Sequence, residues 1–435
     1  MRFVSTNSTT APVDLKEAVN RCVAADGGMF MPAELPLIPK AYFNNIGEMT
    51  LREIAFVVAN SFFGQDIDSA TLKSIVDESF AFDAPMHLIG DDTYVLELFH
   101  GPTLTFKDYG ARFMARLMRA IDANASYRRN VLVATTGNTG AAAANGLFKL
   151  DGISVTVLYP KGQLTRAQTA QMTALGENIH PIEIAGTVED CKRLVQSAIA
   201  DPALNDYHLT GANSINIARL LPQITFSLYA YAHLKALDVH GAENACYAMP
   251  AGNISNVVAA AMAKRIGCPM GTIIAATASN NQLAPLLAGE QRYRTTPVST
   301  LAPSIDMSCP SGWPRLLHLY NGDLAAIRRD ISAPDGISDQ VIADTINGLR
   351  SLHGYTIDPH GAVAYAAMQG MGLTGVPKVV FATGHPAKQL DIMTRITGAA
   401  IEMPHQLTRF MSVKRNPTII PPTLPALKRH LHSIN

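Results

Sequence analysis

The sequence predicts an α/β fold built on parallel strands, and three observations support this prediction. The chain has 435 residues, enough for about two or three domains that each bury a core. From about residue 93, short apolar runs alternate with glycine-rich turns and alanine-rich helical stretches. Because strands separated by helix-length segments form parallel βαβ units, this spacing indicates parallel-strand sheets.

Residues 1–90 precede the alternating pattern and are predicted to be mainly helical. Apolar residues recur there at helical spacing over residues 15–22 and again over residues 51–58. We therefore place a domain boundary near residue 90.

Five apolar runs beyond that boundary are predicted to be buried strands. Each is short, partly β-branched or aromatic, and followed by turn residues. The runs are VLVA at 131–134, VTVLY at 155–159, CYAM at 246–249, IIAA at 273–276 and KVVFA at 378–382. The last stretch, residues 415–435, is rich in proline, and we expect it to run over the surface before a short helix.

Composition excludes several classes of partner and compartment. Lys+Arg and Asp+Glu are both 35, so the formal net charge is +0, which disfavours nucleic-acid binding. The cysteines are scattered, without the spacing of a disulfide framework or a zinc site. The N-terminus lacks the apolar core of a signal peptide, and no segment has the run of about 18 apolar residues that a membrane span needs. We expect a cytoplasmic protein with no metal site and no membrane partner.

Three strand–turn–helix corners carry turn residues suited to ligand binding, which in open α/β sheets occurs beyond the carboxyl ends of strands. The turn at 135–140 surrounds two glycines with hydroxyl and amide groups, so it binds an anion or is an ordinary capped turn. The turn at 250–256 is a phosphate cradle or a plain corner, and lacks a P-loop ending. Thr383 meets a ring nitrogen or a phosphate, or only caps the next segment.

Lys107 follows an apolar stretch and a Gly-Pro turn, then begins a predicted helix with an aromatic face. Apolar surroundings lower the pKa of a lysine and suit it for Schiff-base chemistry with a carbonyl. Most lysines beside aromatic residues extend to water instead, so this stretch alone leaves both interpretations open.

Taken together, these elements resemble the threonine synthases. The segment HGPTLTFKDYGARF at 100–113 is similar to the family's pyridoxal-phosphate lysine segment. The other similar segments are DGGMFMP at 26–32, YPKGQLTRAQTAQM at 159–172, GANSINIARLLPQ at 211–223, AATASNNQLAPLL at 275–287, SIDMSCPSGWPRL at 304–316, DPHGAVAYAAM at 358–368 and TGHPAK at 383–388. The resemblance implies a fold type II pyridoxal-phosphate enzyme with two α/β domains and parallel-strand sheets, plus an N-terminal mainly helical domain.

Domain limits follow from the resemblance and the pattern together. The N-terminal domain is expected at residues 1–90. Residues 91–125 and 226–435 are expected to form the large pyridoxal-phosphate-binding domain. Residues 126–225 are expected to form the small α/β domain that carries the loop for the substrate carboxylate.

The resemblance also implies roles for individual residues. Lys107 would bind the cofactor covalently and move protons between substrate carbons. The remaining cofactor residues would be Asn138 near the ring hydroxyl, Gly252, Asn253, Ile254 and Ser255 around the phosphate, and Thr383 at the pyridine nitrogen. The substrate carboxylate would bind Thr135, Thr136, Gly137 and Thr139, and the substrate phosphate would lie near Asn213, Ser214, Asn216 and Arg219. Lys161 either assists at that phosphate or is a solvated surface lysine.

The implied activity converts O-phospho-L-homoserine and water to L-threonine and phosphate, by γ-elimination and then β-addition of water. Pyridoxal 5'-phosphate would act as the electron sink, and the protein would supply orientation and proton transfer. The partner is then a small-molecule substrate, and the chain is expected to be a monomer or a homodimer.

Several positions depart from the family's usual pattern around the site. Thr-Gly-Asn-Thr-Gly at 136–140 stands where relatives of this length have Ser-Gly-Asp-Thr-Gly, and Ala-Gly-Asn-Ile-Ser at 251–255 replaces Ser-Gly-Asn-Phe-Gly. If Ser255 needs a positive φ, that conformation costs roughly 1–2 kcal/mol. Gly312 and Gly361 also replace larger residues.

These departures leave two alternatives open. One is a related enzyme that acts on a different substrate, through another γ-replacement or a phospho-lyase reaction. The other is a non-catalytic pyridoxal-phosphate-binding homologue, against which the presence of Lys107, Arg219 and Thr383 argues.

Overall fold

The structure, a computed structural model, describes residues 1–90, 92–290, 296–413 and 417–434. Its strands are β1 (Phe3–Ser5), β2 (Phe30–Pro32), β3 (Met86–Leu88), β4 (Thr93–Glu97), β5 (Arg129–Ala134), β6 (Ile153–Pro160), β7 (Ile179–Ile184), β8 (Leu209–Gly211), β9 (Cys246–Pro250), β10 (Ile273–Ala276), β11 (Ile331–Ser332), β12 (Lys378–Ala382) and β13 (Thr418–Ile420).

The α-helices follow the same numbering by chain order. They are α1 (Leu15–Arg21), α2 (Lys40–Asn45), α3 (Leu51–Phe63), α4 (Ser69–Ser79), α5 (Lys107–Ile121), α6 (Asn138–Leu147), α7 (Arg166–Thr173), α8 (Val188–Ile199), α9 (Ile217–Leu220), α10 (Ile224–Ala236), α11 (Ser255–Arg265), α12 (Leu283–Leu287), α13 (Trp313–Leu319), α14 (Leu324–Asp330), α15 (Asp339–His353), α16 (Pro359–Gly370), α17 (Leu390–Thr397), α18 (His405–Met411) and α19 (Leu424–Ile434). Short 3-10 helices span Ile46–Glu48, Pro202–Tyr207, Leu221–Gln223, Ala242–Asn244, Pro303–Ile305 and Pro386–Gln389.

The N-terminal part contains both predicted helical stretches, in α1 and α3. Thr50 starts α3 with a capping box, because its hydroxyl accepts from the Glu53 amide and the Glu53 carboxylate accepts from the Thr50 amide. A two-stranded antiparallel sheet, β1 with β2, was not predicted. Three-residue strands are too short to show an alternating pattern.

The larger sheet has six strands in the order β11-β10-β9-β12-β4-β3, and only β3 runs antiparallel to its neighbour. The predicted strands at 246–249, 273–276 and 378–382 are all present in this sheet. Because β4, β9, β10 and β12 are parallel, their carboxyl ends open on one edge. The loops that follow these strands therefore meet there.

The smaller sheet has five parallel strands in the order β13-β7-β6-β5-β8, and it includes the two remaining predicted strands. Both sheets are thus largely parallel with helices packed against them, and the predicted α/β fold is confirmed. Among the described residues, none of the helices is long and apolar enough to cross a membrane.

The C-terminal segment departs from the prediction. Residues 418–420 pair with β7 of the smaller sheet, although the sequence placed residues 226–435 in the large domain. Apolar side chains of α19, including Leu427, share a buried cluster with Leu194 of α8. Because β13 and β7 are so far apart in the sequence, no local pattern predicts that they pair. The predicted limit at residue 91 lies outside the described residues.

Candidate active site

Lys107 is the first residue of α5 and lies at the carboxyl edge of the six-stranded sheet. The residues before it are fastened to the end of β12. The Phe106 amide donates to the carbonyl oxygen of Thr383 over 3.0 Å, and Thr105 Oγ1 donates to the same oxygen over 3.2 Å. These bonds set Lys107 next to Thr383, whose own hydroxyl donates no hydrogen bond within the described chain.

The surroundings of Lys107 favour its neutral amine. Its pKa is lowered from 10.5 to about 8, first because the half-buried ammonium is withdrawn from water and second because Arg219 is positively charged. Arg219 is itself buried, and its Nη1 donates to the carbonyl oxygen of Ala212 over 2.8 Å. A neutral amine is the form that attacks a carbonyl, so this site suits a lysine nucleophile.

Two further charged side chains, Asp108 and Lys388, complete a buried cluster around Lys107. The Asp108 carboxylate accepts from the Thr103 amide over 2.8 Å and from Thr103 Oγ1 over 2.5 Å. Lys388 follows β12 of the larger sheet, and its Nζ donates to Oε1 of Gln171, on α7 after β6 of the smaller sheet. Burial lowers the pKa of Lys388. Within the described residues, the cluster therefore sets three basic groups against one carboxylate.

The loop after β5 is shaped by its own side chains. Thr135 Oγ1 accepts from the amides of Gly137 and Gly140 over 2.9 and 2.8 Å. Gly137 has a φ of 123°, and a side chain there would lie 2.5 Å from Gln168. Glycine is therefore required at this turn. Of the other predicted carboxylate residues, Thr136 is exposed and Thr139 is half-buried.

Asn138 begins α6 at the end of this loop. Its Nδ2 donates to Ser304 Oγ over 3.2 Å, whereas its buried Oδ1 has no partner within the described chain. Buried polar atoms are nearly always paired, so this oxygen is suited to accept from a ligand.

The corner after β9 brings the predicted phosphate residues together at the start of α11. Ile254 caps this helix with a φ of 58° and a ψ of 14°, a left-handed conformation that is rare for a β-branched residue. Ser255 lies in the helix without a positive φ, so the prediction of backbone strain at Ser255 is wrong. The strained residue is Ile254. A side chain at Gly252 would meet Ile305 Cα at 2.9 Å.

Gly312 packs directly on this corner. Its amide donates to the Asn253 carbonyl oxygen over 2.9 Å. A side chain at Gly312 would meet that oxygen at 2.7 Å and Ile254 Cγ1 at 2.9 Å. The two departures at Ile254 and Gly312 are therefore physically linked. Gly361 lies farther away, on α16, where a side chain would meet Ile357 at 2.6 Å.

The segment after β8 joins the two sheets at the site. Asn253 Nδ2 donates to Ser214 Oγ over 2.7 Å, which connects the phosphate corner to this segment. Asn213 is bonded to both the amide and the carbonyl of Ala134, at 3.3 and 2.7 Å. Asn216 caps α9 and donates to two carbonyl oxygens, so its amide is occupied within the protein.

Arg315 supports that segment from below and was not predicted as a site residue. It is fully buried and donates to the carbonyl oxygens of Phe30, Ser214 and Ile215 over 3.2, 3.1 and 2.6 Å. Asp108, Lys388 and Arg315 all lie in segments that resemble the family. A similar segment does not show which of its side chains contact one another in the fold, so these three were not predicted as site residues.

Lys161 is the predicted site residue that makes no side-chain contact to the others within the described residues. It is exposed directly after β6, and its side chain makes no hydrogen bond or ion pair within the described residues.

Comparisons with known proteins match nearly the whole chain. A family model described as "Pyridoxal-phosphate dependent enzyme" matches residues 83–383, and one described as "Threonine synthase N terminus" matches residues 2–80. The threonine synthase of Serratia marcescens is 32% identical over 427 residues, covering 98% of this chain and 97% of that protein. The crystal structure of Escherichia coli threonine synthase matches with a TM-score of 0.92 at 30% identity, covering 100% of both chains. The PLP-bound threonine synthase of Brucella melitensis matches with a TM-score of 0.93 at 29% identity, covering 100% of this chain and 99% of that chain.

Proposed function

Because the chain belongs to the threonine synthase family of pyridoxal-phosphate-dependent enzymes, we propose that it converts O-phospho-L-homoserine and water to L-threonine and phosphate. The observation that carries this proposal is the buried cluster of Lys107, Arg219 and Lys388, with Asp108 as its carboxylate among the described residues. Substrate and cofactor together bring two phosphates and a carboxylate. A buried site in which basic side chains outnumber the carboxylate matches anionic ligands of this kind.

The residues present fit pyridoxal phosphate. Asn138 Oδ1 is buried and open to a hydrogen-bond donor, as a ring hydroxyl would supply. The Thr383 hydroxyl is available for the pyridine nitrogen. Backbone N–H groups at the start of α11 suit a phosphate, and Gly252 lets Ile305 pack against this corner more closely than a side chain would allow. Lys107 would hold the cofactor covalently.

Each side chain then has a defined task in the proposed reaction. Pyridoxal phosphate, when bound, supplies an electron sink for negative charge on the substrate carbons. Lys107 Nζ, with a pKa of about 8, can accept and return protons near neutral pH. Arg219 and Ser214 would orient the departing phosphate and offset its charge. The backbone amides near Gly137 would hold the α-carboxylate, in a loop that Thr135 keeps in shape.

Asn213, Asn216 and Lys161 receive different roles under this proposal. Asn213 bonds to Ala134 and Asn216 caps the helix of Arg219, so both would position the phosphate site. Lys161 is exposed, which supports the solvated alternative.

The proposed function is tested by incubating the holoenzyme with O-phosphohomoserine and quantifying both products. We expect phosphate and threonine in equal amounts, and neither from Lys107→Ala. Phosphate accompanied by homoserine would mean that the chain acts as a phosphatase, and the proposal would fail.

A second candidate is a related reaction on a different phosphorylated amino acid. It is favoured by one observation: two departures from the family's usual sequence, Ile254 and Gly312, are in contact at the phosphate corner. Turnover of O-phosphohomoserine, O-phosphoserine and O-phosphothreonine would be compared side by side. Preference for O-phosphohomoserine supports the first candidate, and preference for another compound supports the second. Failure to turn over any of them would favour the non-catalytic alternative.

The domain limits, assembly and location are also proposals. We propose the limits predicted from the sequence, except that the C-terminal segment from residue 417 is assigned to the small domain because β13 pairs with β7. A monomer or homodimer remains the expected assembly. A reducing, cytoplasmic location is supported by the cysteines, all of which are free: Cys22, Cys191, Cys246, Cys268 and Cys309.

A further inference from the structure

A series of hydrogen bonds leads to the site from the amino end of α16. Apart from Asn138, at its end, the residues of this series have no task in the proposed reaction. Asp358 Oδ2 lies 2.6 Å from His360 Nδ1, and the Ser304 amide donates to His360 Nε2 over 3.1 Å. Ser304 Oγ then accepts from Asn138 Nδ2 over 3.2 Å. The series thus begins at a buried carboxylate and ends at the amide assigned to the cofactor.

The direction of each bond follows from the Ser304 amide. A backbone N–H can only donate, so His360 Nε2 must carry no proton. In the neutral ring the proton is then on Nδ1, which donates it to Asp358. His360 and Asp358 are 5% and 2% exposed, so water does not compete for these bonds.

The order Asp358–His360–Ser304 resembles a hydrolytic triad, but its geometry does not activate a serine. In a triad the imidazole Nε2 accepts the proton of the serine hydroxyl. Here Nε2 accepts from the Ser304 backbone, and Ser304 Oγ is itself the acceptor for Asn138. The three residues therefore hold a turn in place.

That turn, Pro303–Ile305, is held from several sides. Asp306, at its carboxyl end, accepts from the Thr300 amide and hydroxyl, both over 2.8 Å, and from Asn280 over 2.6 Å. Ile305 Cα lies where a side chain on Gly252 would reach, at 2.9 Å. The turn therefore contacts the phosphate corner at Ile305 and the carboxylate loop at Ser304.

The other end of the series is equally fixed. Asp358 accepts from the Gly361 amide over 2.8 Å and so caps α16. A side chain on Gly384, the residue after Thr383, would lie 3.3 Å from Asp358 Oδ2. His360 thus extends from the edge that carries Thr383 to the turn that holds Asn138.

We propose that His360 is a positioning residue: by accepting from the Ser304 amide it fixes the Pro303–Ile305 turn, and the turn aligns the Asn138 amide with the cofactor. Ser304 Oγ is the hydrogen-bond partner of Asn138 Nδ2. If the turn shifts, the Asn138 amide is free to rotate and its Oδ1 no longer points at a fixed place. The proposal rests on the proposed function only for the identity of the ligand.

The test is a double-mutant cycle on the holoenzyme with His360→Asn and Ser304→Ala. Asparagine can still donate to Asp358 but does not reach the Ser304 amide, and Ser304→Ala keeps that amide and removes the hydroxyl. The matched control is His405→Asn, on an exposed histidine at the start of α18. The readouts are the visible absorption band of the bound cofactor, and kcat and KM for O-phosphohomoserine.

We expect both single variants to shift the band in the same direction and to lower kcat by about tenfold to hundredfold, with a smaller change in KM. The double variant should be no worse than the more affected single variant, because both changes break the same link. His405→Asn should match the wild type.

Two outcomes would overturn the proposal: an unchanged band and kcat in His360→Asn, or effects that simply add in the double variant. Should His360→Asn not fold, Ser304→Ala decides, since an unshifted band there removes the link to Asn138. If the wild type does not consume O-phosphohomoserine, the proposed function fails while the absorption band still tests His360.

Discussion

The reactivity of Lys107 depends on two features of its surroundings: the low dielectric of the protein interior and the positive charge of Arg219. Withdrawal from water comes first and the arginine charge second, and together they bring its pKa to about 8. An ordinary lysine would be almost entirely protonated at neutral pH and would attack a carbonyl slowly. Here a useful fraction of the amine is neutral under the same conditions.

Cofactor attachment should therefore depend on pH in a defined way. Only the neutral amine attacks, so the attachment rate to protein stripped of cofactor should rise with pH and reach half its maximum at about 8. Stopped-flow absorbance after mixing with pyridoxal phosphate measures this rate. A midpoint near the ordinary lysine value of 10.5 would contradict the environment described for Lys107.

Arg219→Met should separate two effects of this arginine. Loss of its charge raises the pKa of Lys107, so the midpoint of attachment moves to higher pH. Loss of the guanidinium also lowers O-phosphohomoserine turnover by about a hundredfold, while the cofactor stays attached. Arg166→Met, at an exposed position on α7, is the control. If the Arg219 variant loses its cofactor, the arginine serves the cofactor phosphate instead.

The turns between strands and helices determine where ligand groups can lie. At the corner after β9, the turn requires a strained backbone conformation. A β-branched residue in the left-handed region costs about 1–3 kcal/mol and persists only when its surroundings hold it. Ile254 is held by burial and by the close approach of Gly312, at which a side chain would collide with the corner. The two residues therefore have to be considered as a pair.

Gly312→Ala should weaken cofactor binding and lower thermal stability. The added carbon would lie 2.7 Å from the Asn253 carbonyl oxygen, so the backbone of the phosphate corner must move. Gly348→Ala is the control, since apart from the nearby backbone of helix α15 itself no atom lies within 4 Å of the added carbon. That variant should gain about 0.5–1 kcal/mol. Cofactor titration and thermal unfolding report both effects, and equal behaviour of the two variants would refute the argument.

The local pattern reveals some elements and hides others. The five predicted strands were found because buried parallel strands are apolar, β-branched and bounded by turns. Strand β13 was missed because its pairing with β7 involves residues more than two hundred positions apart. The bond between Asn138 and Ser304 spans 166 positions and joins two loops, so no spacing predicts it. The backbone angle of Ile254 is likewise invisible in a list of residues.

The whole molecule carries no net charge, yet the proposed ligands are anions. Binding then depends on local arrangement: buried cations, helix starts and amides at the meeting of two sheets. Side-chain bonds cross that meeting at Asn253 with Ser214, and at Lys388 with Gln171. Such bonds keep the loops of both sheets at a fixed separation around Lys107.

The C-terminal segment should contribute to the stability of the smaller sheet. Leu427 is fully buried in the cluster that joins α19 to α8, so Leu427→Ala should lower the free energy of unfolding by about 2–5 kcal/mol. Ile419→Ala is the control in the same segment, because that side chain is 50% exposed. Urea unfolding measures both, and a loss as small as that of the control would place α19 outside the core.

The proposed reaction breaks the carbon–oxygen bond of O-phosphohomoserine and adds water at the neighbouring carbon. The most direct test is the reaction in heavy-oxygen water, with both products analysed by mass spectrometry. We predict heavy oxygen in the hydroxyl group of threonine and none in the released phosphate, because phosphate departs with all its oxygens. Heavy oxygen in the phosphate, with unlabelled homoserine as the other product, would contradict the proposed elimination and show hydrolysis at phosphorus instead.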